Sequence, residues 1–165
     1  MSKFKKIAVI GKYPSLEGIE DFHEQLIQLI EHLSKKNVVL IIEEKTQKQI
    51  NLNQFKSLPL RALGPEVDVA IIFGGDGTML GVARTLVDSQ IPLIGVNRGR
   101  FGFLADLNVN NMFTGIDTIL DGDFVQDDRM LIETKIFRSD KVIYESLSLN
   151  DVVIKSGLKL IELEV

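Results

Sequence analysis

The chain reads as an α/β protein: a parallel sheet flanked by helices in an N-terminal domain, followed by the start of an antiparallel, all-β domain. Three observations predict this. Short runs dense in β-branched and other apolar residues recur along the first 100 positions, and such runs mark strands buried on both faces, as in parallel sheets. Segments with helical periodicity separate them, which gives the βαβα alternation of a sheet covered by helices. After Asp121 the period changes to two, the spacing of strands with distinct faces.

Taken in order, Ile7-Ala8-Val9-Ile10 is the first strand, ended by Gly11. Ile19 to Leu33 follows as a helix, with Phe22, Leu26, Leu29, Ile30 and Leu33 on one stripe. Val38 to Ile42 is the second strand. Thr46 to Leu63 is polar, broken by Pro59, and carries no clear period. Val67 to Phe73 is the third strand and Pro92 to Val96 the fourth, with a helix from about Thr78 to Val87 between them. A further helix is expected over Asn110 to Leu120. Beyond it, Leu131 to Phe137, a polar turn at Arg138 to Lys141, and Val142 to Tyr144 form an expected hairpin. Two more strands are expected around Leu147 to Ile154 and Lys159 to Val165. The domains divide as 1–120, α/β and nucleotide-binding, and 121–165, an incomplete β domain. The last strand stops without turn or cap, and an unfinished edge strand invites aggregation, so the chain is expected to be a truncation.

Phe73-Gly74-Gly75-Asp76-Gly77-Thr78-Met79-Leu80 is the stretch with the most chemistry. Glycines between a buried strand and a helix let the backbone approach a ligand closely and take up positive φ. The free N–H groups of loop and helix start then form a cradle for phosphate. A carboxylate in an anion cradle repels the phosphates; it makes sense if Asp76 binds a metal ion or a hydroxyl, the logic of phosphoryl transfer. Without further context the same run is a tight turn after a strand.

Composition limits the alternatives. Hydrophobic content is 45% and charged content 25%, ordinary for a soluble globular protein. A net charge of -4 and a pI near 5.2 argue against a non-specific nucleic-acid binder. The absence of cysteine excludes disulfides and thiolate metal sites and fits the cytoplasm. No apolar run is long enough to span a membrane, so no membrane partner is expected.

Three motifs together resemble the NAD kinase family, over essentially the whole chain: Gly74 to Leu80, Asn97-Arg98-Gly99-Arg100-Phe101-Gly102-Phe103-Leu104-Ala105-Asp106, and Leu149-Asn150-Asp151-Val152-Val153. The first alone is shared with phosphofructokinases and lipid kinases; the other two make the resemblance specific. It implies an N-terminal α/β domain, a C-terminal β domain and a substrate cleft between them. It also implies transfer of a phosphoryl group from ATP with Mg2+, or from polyphosphate in some members, to the 2′-hydroxyl of the NAD adenosine ribose. By that resemblance Asp76 accepts the proton of the attacking hydroxyl. Gly75 and Gly77 hold phosphate and ribose through the backbone, Phe103 is an aromatic beside the dinucleotide, and Asn150 and Asp151 contact NAD. No residue is assigned to a resident metal. Members usually form homo-oligomers.

The chain departs from the family at Phe101, where members usually carry Leu. It also ends before the family's Gly-Ser-Thr-Ala-Tyr-type segment. An inactive fragment that at most binds nucleotide, and more remotely a lipid kinase, therefore stand as alternatives. Arg100 to Leu104 also resembles part of an RNA-recognition core strand, but the second signature strand is missing and the charge is wrong. His23 and His32, nine residues apart on one helix, are expected at the surface. Asp121, Asp123, Asp127 and Asp128 lack calcium-loop spacing and are expected in a solvated turn.

Overall fold

Buried apolar runs set the centre of a six-stranded parallel sheet. The computed structural model describes residues 3–11, 19–97, 103–105 and 107–153. Strand β1 (Lys6–Gly11) pairs with β2 (Val39–Glu43) on one side and β4 (Val69–Phe73) on the other. The short β3 (Lys56–Leu58) extends the sheet beyond β2, while β5 (Leu93–Asn97) and β6 (Leu107–Asn108) extend it beyond β4. The order is β3-β2-β1-β4-β5-β6. The chain thus builds outward from β1, then crosses to β4 and builds outward the other way. In open α/β sheets ligands bind beyond the carboxyl ends of the strands at such a reversal. Here those ends are Gly11 and Phe73, which are register partners.

Alternation along the strands divides the core. Ile7, Val9, Val69, Ile71, Phe73 and Val96 share one cluster with α1 (Ile19–Ser34) and α5 (Met112–Leu120). The predicted stripe of α1, from Phe22 to Leu33, is buried there, and the Phe22 and Phe73 rings meet at 5.3 Å. The alternate positions Ala8, Ile10, Ala70 and Ile72 are buried as well. On that side α4 (Asp76–Leu86) lies over β4 and β5. Strands buried on both faces account for the continuous apolar runs.

The segment from Thr46 to Leu63 resolves into α2 (Glu44–Ile50), β3 and α3 (Leu60–Leu63). Its order comes from side-chain tethers that periodicity does not register. Glu43 caps α2, its Oε2 accepting the Thr46 N–H at 2.8 Å. The Thr46 hydroxyl accepts the Gly11 N–H at 2.9 Å and lies 3.0 Å from the Gly11 carbonyl and 2.8 Å from Glu43 Oε2. Both side chains are buried, so these bonds replace water. Asn51, with φ 53°, ends the helix.

His32 corrects an expectation. It is only 25% exposed, its Nε2 lies 2.7 Å from Asp117 Oδ1, and its ring is 4.9 Å from that of Phe113. Lys36 Nζ holds the other oxygen of Asp117 at 2.9 Å, so one carboxylate ties α1 to α5. Burial pushes the Asp117 carboxyl up, but the hydrogen bonds from Lys36 and His32 outweigh it and hold it below the ordinary value. The histidine looked like a surface residue because its partner stands 85 positions away.

By its contacts the chain forms two compact units, Met1–Asp127 and Asp128–Val165. The first extends past residue 120 because Phe124 stacks on Phe4 at 5.8 Å, with Lys3 Nζ 4.4 Å above its ring. Asp121, Asp123, Asp127 and Asp128 are all exposed. The second unit contains an antiparallel hairpin of β7 (Ile132–Arg138) and β8 (Lys141–Ser148). Ser139 and Asp140, with φ 50° and 61°, form the two-residue turn whose twist suits a hairpin. A bulge places Ile136 opposite Tyr144 and Phe137 opposite Val142.

Here a second expectation is corrected. Val142 to Tyr144 and Leu147 belong to one strand, and that strand stops at Ser148. Asn150 and Asp151 follow it outside regular structure, and both are exposed. Asn and Asp side chains compete for nearby main-chain groups and so favour turns over strands. The strand expected over Lys159 to Val165 lies outside the described residues, as does Ile154.

Candidate nucleotide site

The fully buried strand β4 delivers the glycine loop to the sheet's carboxyl edge. Gly74 continues the ladder, its N–H donating to the Val96 carbonyl at 3.0 Å. A Cβ there would stand 2.8 Å from Thr78 Oγ1 and 3.0 Å from Thr78 Cβ, so the turn closes only on glycine. Gly75 is extended, with φ −95° and ψ −179°, and acts as the N-cap of α4 without a side-chain cap. Its carbonyl accepts the N–H groups of Thr78 at 2.9 Å and Met79 at 3.2 Å.

Two details differ from the sequence reading. The helix starts at Asp76, two residues earlier than expected, and neither Gly75 nor Gly77 has positive φ. The chain passes directly from strand to helix through one extended residue, so no left-handed residue is needed. These glycines serve space instead: a Cβ on Gly75 or Gly77 would meet nothing within 4 Å among the described residues.

Asp76 therefore sits in the first helical turn, where a carboxylate is favoured by the helix dipole. That removes part of the argument that an acid is misplaced here. Its partners are specific. Oδ2 accepts the Phe103 N–H at 2.9 Å and Oδ1 accepts the Leu104 N–H at 3.3 Å. Asp76 is half-buried and Leu104 buried, while the Phe103 ring is 93% exposed. Within the strap of residues 103–105, Leu104 is thus anchored, while the Phe103 side chain next to it is exposed. Of the motif Asn97 to Asp106, positions 98–102 and 106 lie outside the described residues.

Gly75, Asp76, Gly77 and Phe103 are brought together in the first unit. Asn150 and Asp151 belong to the second. Two participants escaped the sequence reading. The Leu104 amide carries no sequence signal. Gly95 does: a glycine inside a buried strand marks close backbone approach. A Cβ at Gly95 would lie 2.8 Å from Ala105 Cα and 3.1 Å from Met79 Cε, so β5 needs glycine where the strap crosses it. Among the described residues no group of three or more His, Cys, Asp or Glu could hold a metal ion.

Comparison with known proteins bears on the same residues. A family model described as the ATP-NAD kinase N-terminal domain matches residues 22–124. The chain is 40% identical over 164 residues to an NAD kinase of Nitrosomonas eutropha, covering 98% of this chain and 54% of that protein. It is 36% identical over 157 residues to an NAD kinase of an Acidovorax species, covering 93% and 53%. The chain thus spans about half the length of these curated relatives. Among solved structures, a yeast NADH kinase complexed with NADH matches with a TM-score of 0.73 at 16% identity, over 90% of this chain and 50% of that one. At that identity the likeness shows the fold, and it agrees with the sheet and hairpin described above.

Proposed function

Since the chain belongs to the ATP-NAD kinase N-terminal domain family, we propose that it carries the acceptor-activating part of an NAD kinase site. The reaction is transfer of the ATP γ-phosphoryl group to the 2′-hydroxyl of the NAD adenosine ribose. The hydroxyl oxygen bonds to phosphorus, the bond to the β-phosphate oxygen breaks, and ADP leaves with that electron pair. The hydroxyl proton passes to Asp76 and from there to solvent. General-base help of this kind contributes about 10²–10⁴-fold, and alignment and charge screening supply the rest.

The observation that carries this reading is a half-buried carboxylate in the first turn of α4, flanked by glycines with open space beside them. In it Gly75 and Gly77 let phosphate and ribose approach the main chain, and the exposed Phe103 ring packs on the dinucleotide. Asn150 and Asp151, whose motif matches the family's, are assigned to NAD contacts. Mg2+ enters with ATP as part of the substrate. Polyphosphate is the alternative donor. Assembly into homo-oligomers and residence in the cytoplasm belong to the same proposal. No helix among the described residues is long and apolar enough to cross a membrane.

The test is to incubate the chain with ATP, Mg2+ and NAD and to follow NADP by enzymatic cycling, with NAD binding measured by calorimetry. Asp76→Asn keeps the shape and removes the basic oxygen. Turnover should fall by about 10²–10⁴-fold, well beyond the roughly tenfold loss of NAD affinity expected because the amide nitrogen cannot accept a main-chain N–H. An Asp76→Asn variant as active as the parent would remove Asp76 from the chemistry. NAD binding without turnover in the parent would favour the reading of a nucleotide-binding fragment.

A further inference from the structure

We propose, resting on the nucleotide reading above, that the main-chain amides of Phe103 and Leu104 are positioning groups that aim Asp76 at the ribose and tighten when NAD binds. The geometry is bidentate. Each carboxylate oxygen receives one N–H, at 2.9 Å and 3.3 Å, and two bonds from successive residues fix the rotation of the carboxylate plane. A single bond would leave it free to turn. An ionised carboxylate offers about four lone-pair sites, so the strap occupies half and leaves acceptor capacity for a hydroxyl. Asp76 can therefore engage substrate without releasing the strap.

The strap is itself held from behind. Leu104 is buried, and Ala105 crosses β5 at Gly95 in a contact that leaves no room for a Cβ. Among the described residues 103–105, Phe103 is the exposed one. The ring and the carboxylate consequently share one mechanical reference: a ligand that loads the ring presses on the residue whose N–H holds Asp76 Oδ2. Selection of a flat base at Phe103 and orientation of the base at Asp76 become one event.

Amide hydrogen exchange on the chain reads this directly. In the free protein, Asp76→Ala should speed exchange at Phe103 and Leu104 by about tenfold or more, with the β4 amides unchanged. In the parent, saturating NAD should slow exchange at the same two amides, and Asp76→Ala should abolish that response. Leu104→Pro removes one donor while keeping Asp76 and should weaken NAD binding by about tenfold. Phe103→Pro does the same for the other oxygen, should either proline variant misfold. Unchanged exchange in Asp76→Ala would overturn the tie. NAD binding that leaves both amides unaltered, with proline variants binding as tightly as the parent, would reduce the strap to a purely structural contact. A parent chain that binds no NAD would remove the nucleotide reading and the positioning role together. The Asp76→Ala comparison in free protein would still report on the tie.

Discussion

Replacing Gly95 by alanine probes the packing behind Asp76 without touching the site itself. The added methyl would stand 2.8 Å from Ala105 Cα, 3.0 Å from Ala105 Cβ and 3.1 Å from Met79 Cε. Carbon atoms are comfortable at about 3.5–4.0 Å, so the strap must retreat by roughly 0.7 Å or more. The methionine end can swing away, but the Cα of Ala105 is main chain and cannot. Overpacking of this kind costs about 1–3 kcal/mol, and the smaller entropy loss of alanine recovers about 0.5–1 kcal/mol. The net destabilisation is about 0–2.5 kcal/mol, read as a Tm lowered by up to roughly 10 °C. The local effect is more telling. A retreat of that size stretches the 2.9 Å bond from the Phe103 N–H to Asp76 to beyond about 3.5 Å, where it no longer counts as one. Thermal unfolding and amide exchange at Phe103 and Leu104 measure the two parts. A Gly95→Ala chain with unchanged Tm and protected amides would refute the claim that glycine is required by the crossing strap.

Two further outcomes follow from other tethers. Thr46→Val keeps the shape but leaves the Gly11 N–H without its acceptor in a buried place, costing about 1–3 kcal/mol and visible as a lower urea midpoint. The Asp68 carboxylate accepts the Lys6 and Lys5 N–H groups, at 2.8 Å and 2.7 Å, and these bonds hold its carboxyl below the ordinary value. A carboxyl lowered on folding stabilises fully above its unfolded value, about 3.9, and loses that contribution as pH falls through the folded value. The stability gap between the parent and Asp68→Asn should therefore be constant near neutrality and close in acid, as denaturant titrations at a series of pH values would show. A gap that persists unchanged in acid would mean that the charge at Asp68 is not what holds the start of β1.

How much of this was legible in the sequence varies by element. The runs at Ile7 to Ile10 and Val69 to Phe73 were plain because strands buried on both faces exclude polar residues. The α1 stripe was plain because its face repeats with the helical period. The hairpin turn was plain because Arg138 to Lys141 interrupts two alternating runs. The two-residue β6 and three-residue β3 are too short to carry a period. Asn150 and Asp151 were misplaced because Leu147, Leu149 and Val152 mimic alternation across a bend.

The candidate site divides along the same line. Local sequence determined the strand, the glycine loop and the acid within it, since these depend on residues a few positions apart. Tertiary structure alone decided what holds that acid: amides 27 and 28 positions downstream, backed by a glycine on the next strand. A main-chain N–H is present at every residue but proline and leaves no trace in the sequence. Only the folding of β4 beside β5 brings those amides within reach of Asp76.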